Sequence, residues 1–287
     1  MLMQPTRFAF PAFLLGAACI GFAGIFVRLS EVGPVATGFW RMLLATPILW
    51  LMSLHGPAPG GPRRHGGIAL TALFFALDLT VWHLSLHITT VANATLLTNC
   101  VPVFCVPLLG WLLWKEAISP SFAQSFAITL LGVVLLTGEN FALAPQRFAG
   151  DLLATLAAAF YCGYLLTLKS VRRDVPVARL MAQSSALSAL IMLAIAAARG
   201  EVLMPAGLDA WLVLIGLALV TQVGGQTLIA YGIGHVSAHV AALGLMCQPA
   251  VATLAAWLLF DERIAPLQFC GAGLILVGIW FAKRRDR

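Results

Sequence analysis

The chain has 287 residues, of which 61% are hydrophobic and 10% charged, and its mean hydropathy is +0.95. A water-soluble domain is about 25% charged, so this composition excludes an ordinary soluble fold and points to a membrane protein, in which each span needs about 20 mostly apolar residues. The 17 basic and 11 acidic residues leave a net charge of +6, but the basic residues stand in short clusters between apolar runs, which excludes a nucleic-acid surface.

In chain order, Arg7 precedes an apolar run from Phe8 to Val27 that is long for a signal-peptide core, so the run reads as a first helix. Ten spans are predicted, at 8–28, 34–54, 67–87, 91–114, 120–138, 149–169, 176–198, 209–233, 237–260 and 265–283. The breaks combine charge with helix breakers, as in Glu31 to Pro34, Gly56 to Pro62 and Asp261 to Pro266. Those near 88–90 and 234–236 are marked less strongly. The runs are continuously apolar where barrel strands would alternate, so the fold class is an all-α polytopic membrane protein. Cys19, Cys100, Cys105, Cys162, Cys247 and Cys270 all fall in apolar stretches and read as buried thiols, not as a disulfide framework.

Orientation follows from Lys and Arg, which concentrate in cytoplasmic loops. With the N-terminus inside, the inner segments hold Arg7, Arg63, Arg64, Lys115, Lys169, Arg172, Arg173, Arg179 and the cluster Lys283, Arg284, Arg285, Arg287; the outer ones hold Arg28, Arg147, Arg199 and Arg263. Both termini are therefore expected in the cytoplasm, with an even number of spans.

The halves of the chain repeat. Pro102, then Trp111-Leu112-Leu113-Trp114-Lys115-Glu116, Pro120 and Gly132, is matched by Pro249, then Trp257-Leu258-Leu259-Phe260-Asp261-Glu262, Pro266 and Gly278. Pro34 and Arg41 correspond more weakly to Pro176 and Gln183. Two copies of five spans lie in opposite orientations, because five is odd, and form an inverted repeat. The expected division is 1–142 and 143–287.

On these residues, with Gly271 and Gly273 in the last span and Gly21-Phe22-Ala23-Gly24, Pro34 and Phe39-Trp40-Arg41 in the first half, the chain resembles the drug/metabolite transporter superfamily, specifically its EamA-type members. That resemblance implies ten helices in two five-helix repeats. Among its members, bacterial exporters of aromatic and other amino acids look most similar. Other relatives export drugs and other metabolites. Gln183 opposite Arg41, and Lys115-Glu116 opposite Asp261-Glu262, depart from strict repetition.

A charge at mid-span costs about 2.5–3.5 kcal/mol on insertion scales, so each intramembrane polar group needs a reason. Asp78 is the one acidic residue well inside a predicted span, roughly 13 Å deep at the helical rise. It reads either as a cavity group that meets a substrate ammonium or titrates a proton, or as a buried carboxyl satisfied by a neighbouring helix. Asn99, Tyr161, Gln222 and Gln248 lie at similar depth on four helices, as cavity groups or as interhelical glue. Trp82 follows Asp78 by four and Tyr164 follows Tyr161 by three, so each pair shares a helix face. Two roles are open to Arg41: holding a carboxylate, or snorkelling to the interface. These eight residues are the candidate substrate contacts.

His83 and His87, like His235 and His239, have metal-ligand spacing. The predicted topology puts the pairs on opposite sides without a third ligand, so no metal and no cofactor are expected. Ala159 with Gly163, and Gly16, Gly24, Gly271 and Gly278, are assigned to helix packing. Glu116 and Glu262 are landmarks of the repeat.

The expectation is a non-enzymatic inner-membrane carrier that exports small amphipathic metabolites, amino acids first, by alternating access. Drugs, cations or other metabolites are the alternative cargo. An enzyme would need a nucleophile and base at one depth, and His83 and Ser85 point to different helix faces; a channel would show a repeated selectivity element or a charged ring. The expected partners are the lipid bilayer and a small-molecule substrate, with a monomer as the expected state.

Overall fold

The computed structural model describes residues 8–55, 65–89, 91–115, 120–137, 147–260 and 266–284. Among them every regular element is a helix: α1 (Ala9–Gly21), α2 (Ala23–Leu29), α3 (Pro34–Leu54), α4 (His65–Leu86), α5 (Val91–Trp114), α6 (Pro120–Thr137), α7 (Phe148–Val171) and α8 (Val177–Ala198) in the first stretch of chain. Then follow α9 (Leu208–Gly216), a π-helical segment (Leu217–Gln226), α10 (Thr227–Ile233), α11 (Ala238–Leu245), α12 (Cys247–Phe260) and α13 (Pro266–Arg284). Seven stretches are long and apolar enough to cross a membrane, and Asn93–Leu109, Phe122–Leu136 and Pro266–Ala282 are shorter apolar helices. Glu116, Glu262, Arg7, Arg63, Arg64, Arg263, Arg285 and Arg287 lie outside the described residues, as do the side chains of Cys100, His239 and Lys283.

The less marked breaks are real turns. Ile88 and Thr89 donate backbone N–H bonds to the Ser85 carbonyl at 2.9 and 2.8 Å, closing α4. On the other side, Ser237 caps α11 by accepting from Val240 N. Three predicted spans are broken rods: the first bends at Phe22 between α1 and α2, the eighth contains the π segment, and the ninth breaks at Met246.

Large apolar side chains such as Leu15, Trp50, Leu131, Leu190 and Leu258 point outward, whereas the interior mixes large residues such as Phe13 and Leu165 with many small and hydroxylic ones. That distribution suits lipid, where close approach of small residues and interhelical hydrogen bonds replace the hydrophobic drive. Ser188 on α8 donates to the Ala72 carbonyl of α4 at 2.9 Å.

The packing repeats with the sequence. α3 packs on α8 and α6 on α13, so the second and fifth rods each meet their own counterpart. The pairing of α4 with α7 is answered by that of α1 with α10 and the π segment, and the pairing of α5 with α7 by that of α1 with α12. Counterparts run antiparallel. A Cβ on Gly132 would meet the Gly271 carbonyl at 2.7 Å, and one on Gly278 would meet the Ser125 carbonyl at 2.9 Å, so position rises along α13 as it falls along α6. Ser125 and Gly132 stand in the first copy where Gly271 and Gly278 stand in the second. The expected packing role holds for Gly16, against Gly225 and Ile229, and for Gly24, against Val91. Ala159 is exposed, so only Gly163 of that pair packs, against Phe74.

A second antiparallel contact ties α8 to α3. Gly200, with φ of +65°, ends α8; its N–H bonds to the Ala197 carbonyl and that of Glu201 to Ala196, the two bonds of a Schellman motif. This turn delivers Glu201 to the start of α3, where Oε2 accepts from Val35 N and Ala36 N at 2.9 Å each. A carboxylate there satisfies helix donors that have no partner of their own. Arg199 pairs with the other carboxylate oxygen at 3.0 Å, and Trp40 Nε1 donates to the Leu203 carbonyl at 2.6 Å.

Candidate functional site

The bend at Phe22 puts Gly21 and Gly24 at a small cavity of about 40 Å³ inside the bundle. α3 supplies Arg41, α4 supplies Asp78 and Trp82, α5 supplies Thr95, Thr98 and Asn99, α7 supplies Tyr161, the π segment supplies Gln226 and α12 supplies Gln248. Six of the eight candidate residues therefore line one space. Tyr164 and Gln222 stand behind its wall.

Arg41 is 1% exposed and points into the bundle, so snorkelling is ruled out. Its Nε donates to Gln222 Oε1 at 3.3 Å, its guanidinium carbon lies 5.8 Å from the centre of the Phe75 ring, and Nη2 has no hydrogen-bond partner. Asp78 is 4% exposed, and its Oδ1 also lacks a partner. Arg41 and Asp78 share the cavity without an ion pair between them or to any other described residue.

An amide belt crosses one wall. Asn99 Nδ2 donates to the Thr95 carbonyl at 2.8 Å and, more distantly, to Gln248 Oε1 at 3.4 Å; Gln248 Nε2 donates to the Tyr161 hydroxyl at 3.4 Å. Three helices, α5, α12 and α7, are joined by this belt. Asn99 Oδ1 remains without a partner. Behind the belt, the Tyr164 hydroxyl donates to Gln226 Oε1 at 3.2 Å while its ring stacks on Phe75 at 4.3 Å.

Gln226, Thr95 and Thr98 were not among the sequence candidates. Thr95, four residues before Asn99, shares its helix face, but Thr98, next to Asn99, does not, and neither is conspicuous by residue type. Gln226 follows Gln222 by four, a spacing that marks it.

The histidines do other work. His83 Nδ1 contacts the Pro34 carbonyl at 2.9 Å deep in the protein, whereas His87 is exposed, so the pair does not face one ion. His235 Nδ1 contacts the Tyr231 carbonyl at 2.8 Å. Among the described residues no three His, Cys, Asp or Glu side chains converge as a metal group would require.

The model of the EamA-like transporter family matches residues 7–138 and again residues 148–283. The chain belongs to the EamA-like transporter family. It is thus a multi-pass membrane transporter of the drug/metabolite transporter type, with the family's unit present twice. The chain is 25% identical over 291 residues to the uncharacterized transporter YcbK of Bacillus subtilis, covering 94% of this chain and 92% of that one. It is 24% identical to an uncharacterized transporter of Archaeoglobus fulgidus, covering 97% of each chain. One solved crystal structure matches with a TM-score of 0.76 over 96% of this chain and 98% of that one; at 19% identity the likeness is one of fold. For an EamA-like transporter, a cavity lined by polar side chains from both repeats is the natural candidate for the substrate path.

Proposed function

We propose that this EamA-like transporter exports amino acids, including aromatic and hydrophobic ones, across the cell inner membrane. The observation that carries the reading is that Asp78 and Arg41, an acidic and a basic group buried in one cavity, form no ion pair with each other. A zwitterion answers both: its ammonium meets Asp78 and its carboxylate meets Arg41, and each buried charge gains the partner it lacks. Asn99, Tyr161 and Gln248 offer hydrogen bonds, and Trp82 offers an apolar face for a side chain. A bare cationic drug would suit Asp78 and Trp82 but would bring a positive charge near Arg41, which favours the amino acid.

The two copies, 1–142 and 143–287, rock against each other around the cavity, with both termini in the cytoplasm, a monomer as the working unit and no enzymatic step or cofactor. The unequal distribution of Lys and Arg supports that orientation. Asp78 couples transport to protons by taking one up when the ammonium leaves. Counterflow in proteoliposomes tests the reading: unlabelled aromatic and aliphatic amino acids should compete strongly with labelled L-phenylalanine, and cations without a carboxylate should compete only weakly. The opposite pattern would overturn the assignment. Asp78→Asn should abolish the pH dependence of uptake; a variant that keeps both rate and pH profile removes Asp78 from the mechanism.

A further inference from the structure

Gln222 is fully buried and does not line the cavity, and both ends of its amide are engaged. Nε2 donates to Ser185 Oγ on α8 at 3.0 Å, which turns Oε1 toward α3, where it accepts from Arg41 Nε at 3.3 Å. Ser185 is itself completely buried. The three residues form a relay across α8, the π segment and α3.

A guanidinium is a rigid plane with five N–H donors, so fixing the direction of Nε fixes the others as well. One face of that plane lies toward the Phe75 ring, which Tyr164 backs in turn. The amide orientation is not arbitrary: a reversed Gln222 would set its NH2 against Arg41 and leave the cation without an acceptor. π-helical turns recur at functional sites, and this one carries both Gln222 and Gln226.

We propose that Ser185 and Gln222 are positioning residues that orient the Arg41 guanidinium for a substrate carboxylate. The proposal rests on the amino-acid reading above and adds that carboxylate recognition depends on two residues the substrate does not touch.

The test compares L-phenylalanine with phenethylamine, which lacks the carboxylate, in counterflow. Gln222→Met keeps the bulk and removes the acceptor; it should raise KM for L-phenylalanine about 5- to 10-fold with kcat little changed, and leave competition by phenethylamine unaltered. Gln222→Met should add nothing in an Arg41→Met background. Equal losses for both probes, a fall in kcat alone, or full additivity with Arg41→Met would overturn the relay. If wild type moves neither probe, the amino-acid reading fails by itself, and the relay is judged by arginine chemistry. Phenylglyoxal modification of Arg41, followed by mass spectrometry, should quicken about 5-fold or more in Gln222→Met, the extra freedom of a guanidinium that has lost its one acceptor; an unchanged rate overturns the proposal.

Discussion

Gln248 joins two parts of the cavity wall, because its carbonyl serves Asn99 and its NH2 serves the Tyr161 hydroxyl. Gln248→Leu leaves both partners buried without it, a loss of about 1–3 kcal/mol, to be read as a lower midpoint of thermal unfolding in detergent. Asp78, Asn99, Tyr161 and Gln248 were legible in the sequence because a polar group in an apolar span is costly and therefore conspicuous. Thr95 and Thr98 were not, since a threonine can return its hydroxyl to its own helix and enter a span cheaply; Thr71 and Thr129 do so. Arg41 was ambiguous for a different reason. Whether a long cation reaches the interface depends on which helix face its neighbours cover, and α8 and the π segment, which pack on α3, are distant in sequence.

The helices themselves were readable from hydropathy and breakers, but not all of their joints were. The break at Met246 does have a local cause in Pro249, which cannot donate to the Leu245 carbonyl, but the bend at Phe22 and the π segment have no proline beside them to announce them. The Glu201 clasp is similar: Gly200 announces the end of α8, yet nothing near Glu201 reveals that its acceptors serve Val35 and Ala36. Glu201→Ala removes both bonds from the start of α3 and should cost about 1–2 kcal/mol of stability, measured by thermal unfolding, while Glu201→Asp should recover part of it. In α13 the glycines separate cleanly. Gly271→Ala drives a methyl into the α6 backbone and should destabilise by about 1–3 kcal/mol, whereas a Cβ at Gly273 meets nothing within 4 Å and Gly273→Ala should be harmless in the same assay.

For the whole molecule, the repeat in the sequence is also a repeat in the principal packing contacts, those of α3 with α8, α6 with α13, and α4 with α7 answered by α1 with α10. Lys169, Arg172 and Arg173 follow one another near the end of α7, and Arg179 lies just across the turn in α8, so the basic end of the bundle is marked within the described residues. Accessibility labelling of single cysteines at positions 2 and 286 in intact cells checks the proposed orientation: both should react only after the membrane is permeabilised.

The self-matching contact of α6 with α13 has a consequence for biogenesis. A bundle whose principal contacts are nearly the same when its halves swap places gains little, in packing, from one way up over the other. The uneven scatter of cations is then expected to set the polarity of insertion. Neutralising Arg172, Arg173 and Arg179 while adding lysines to the opposite turns should divide the population into upright and upside-down molecules of the same fold.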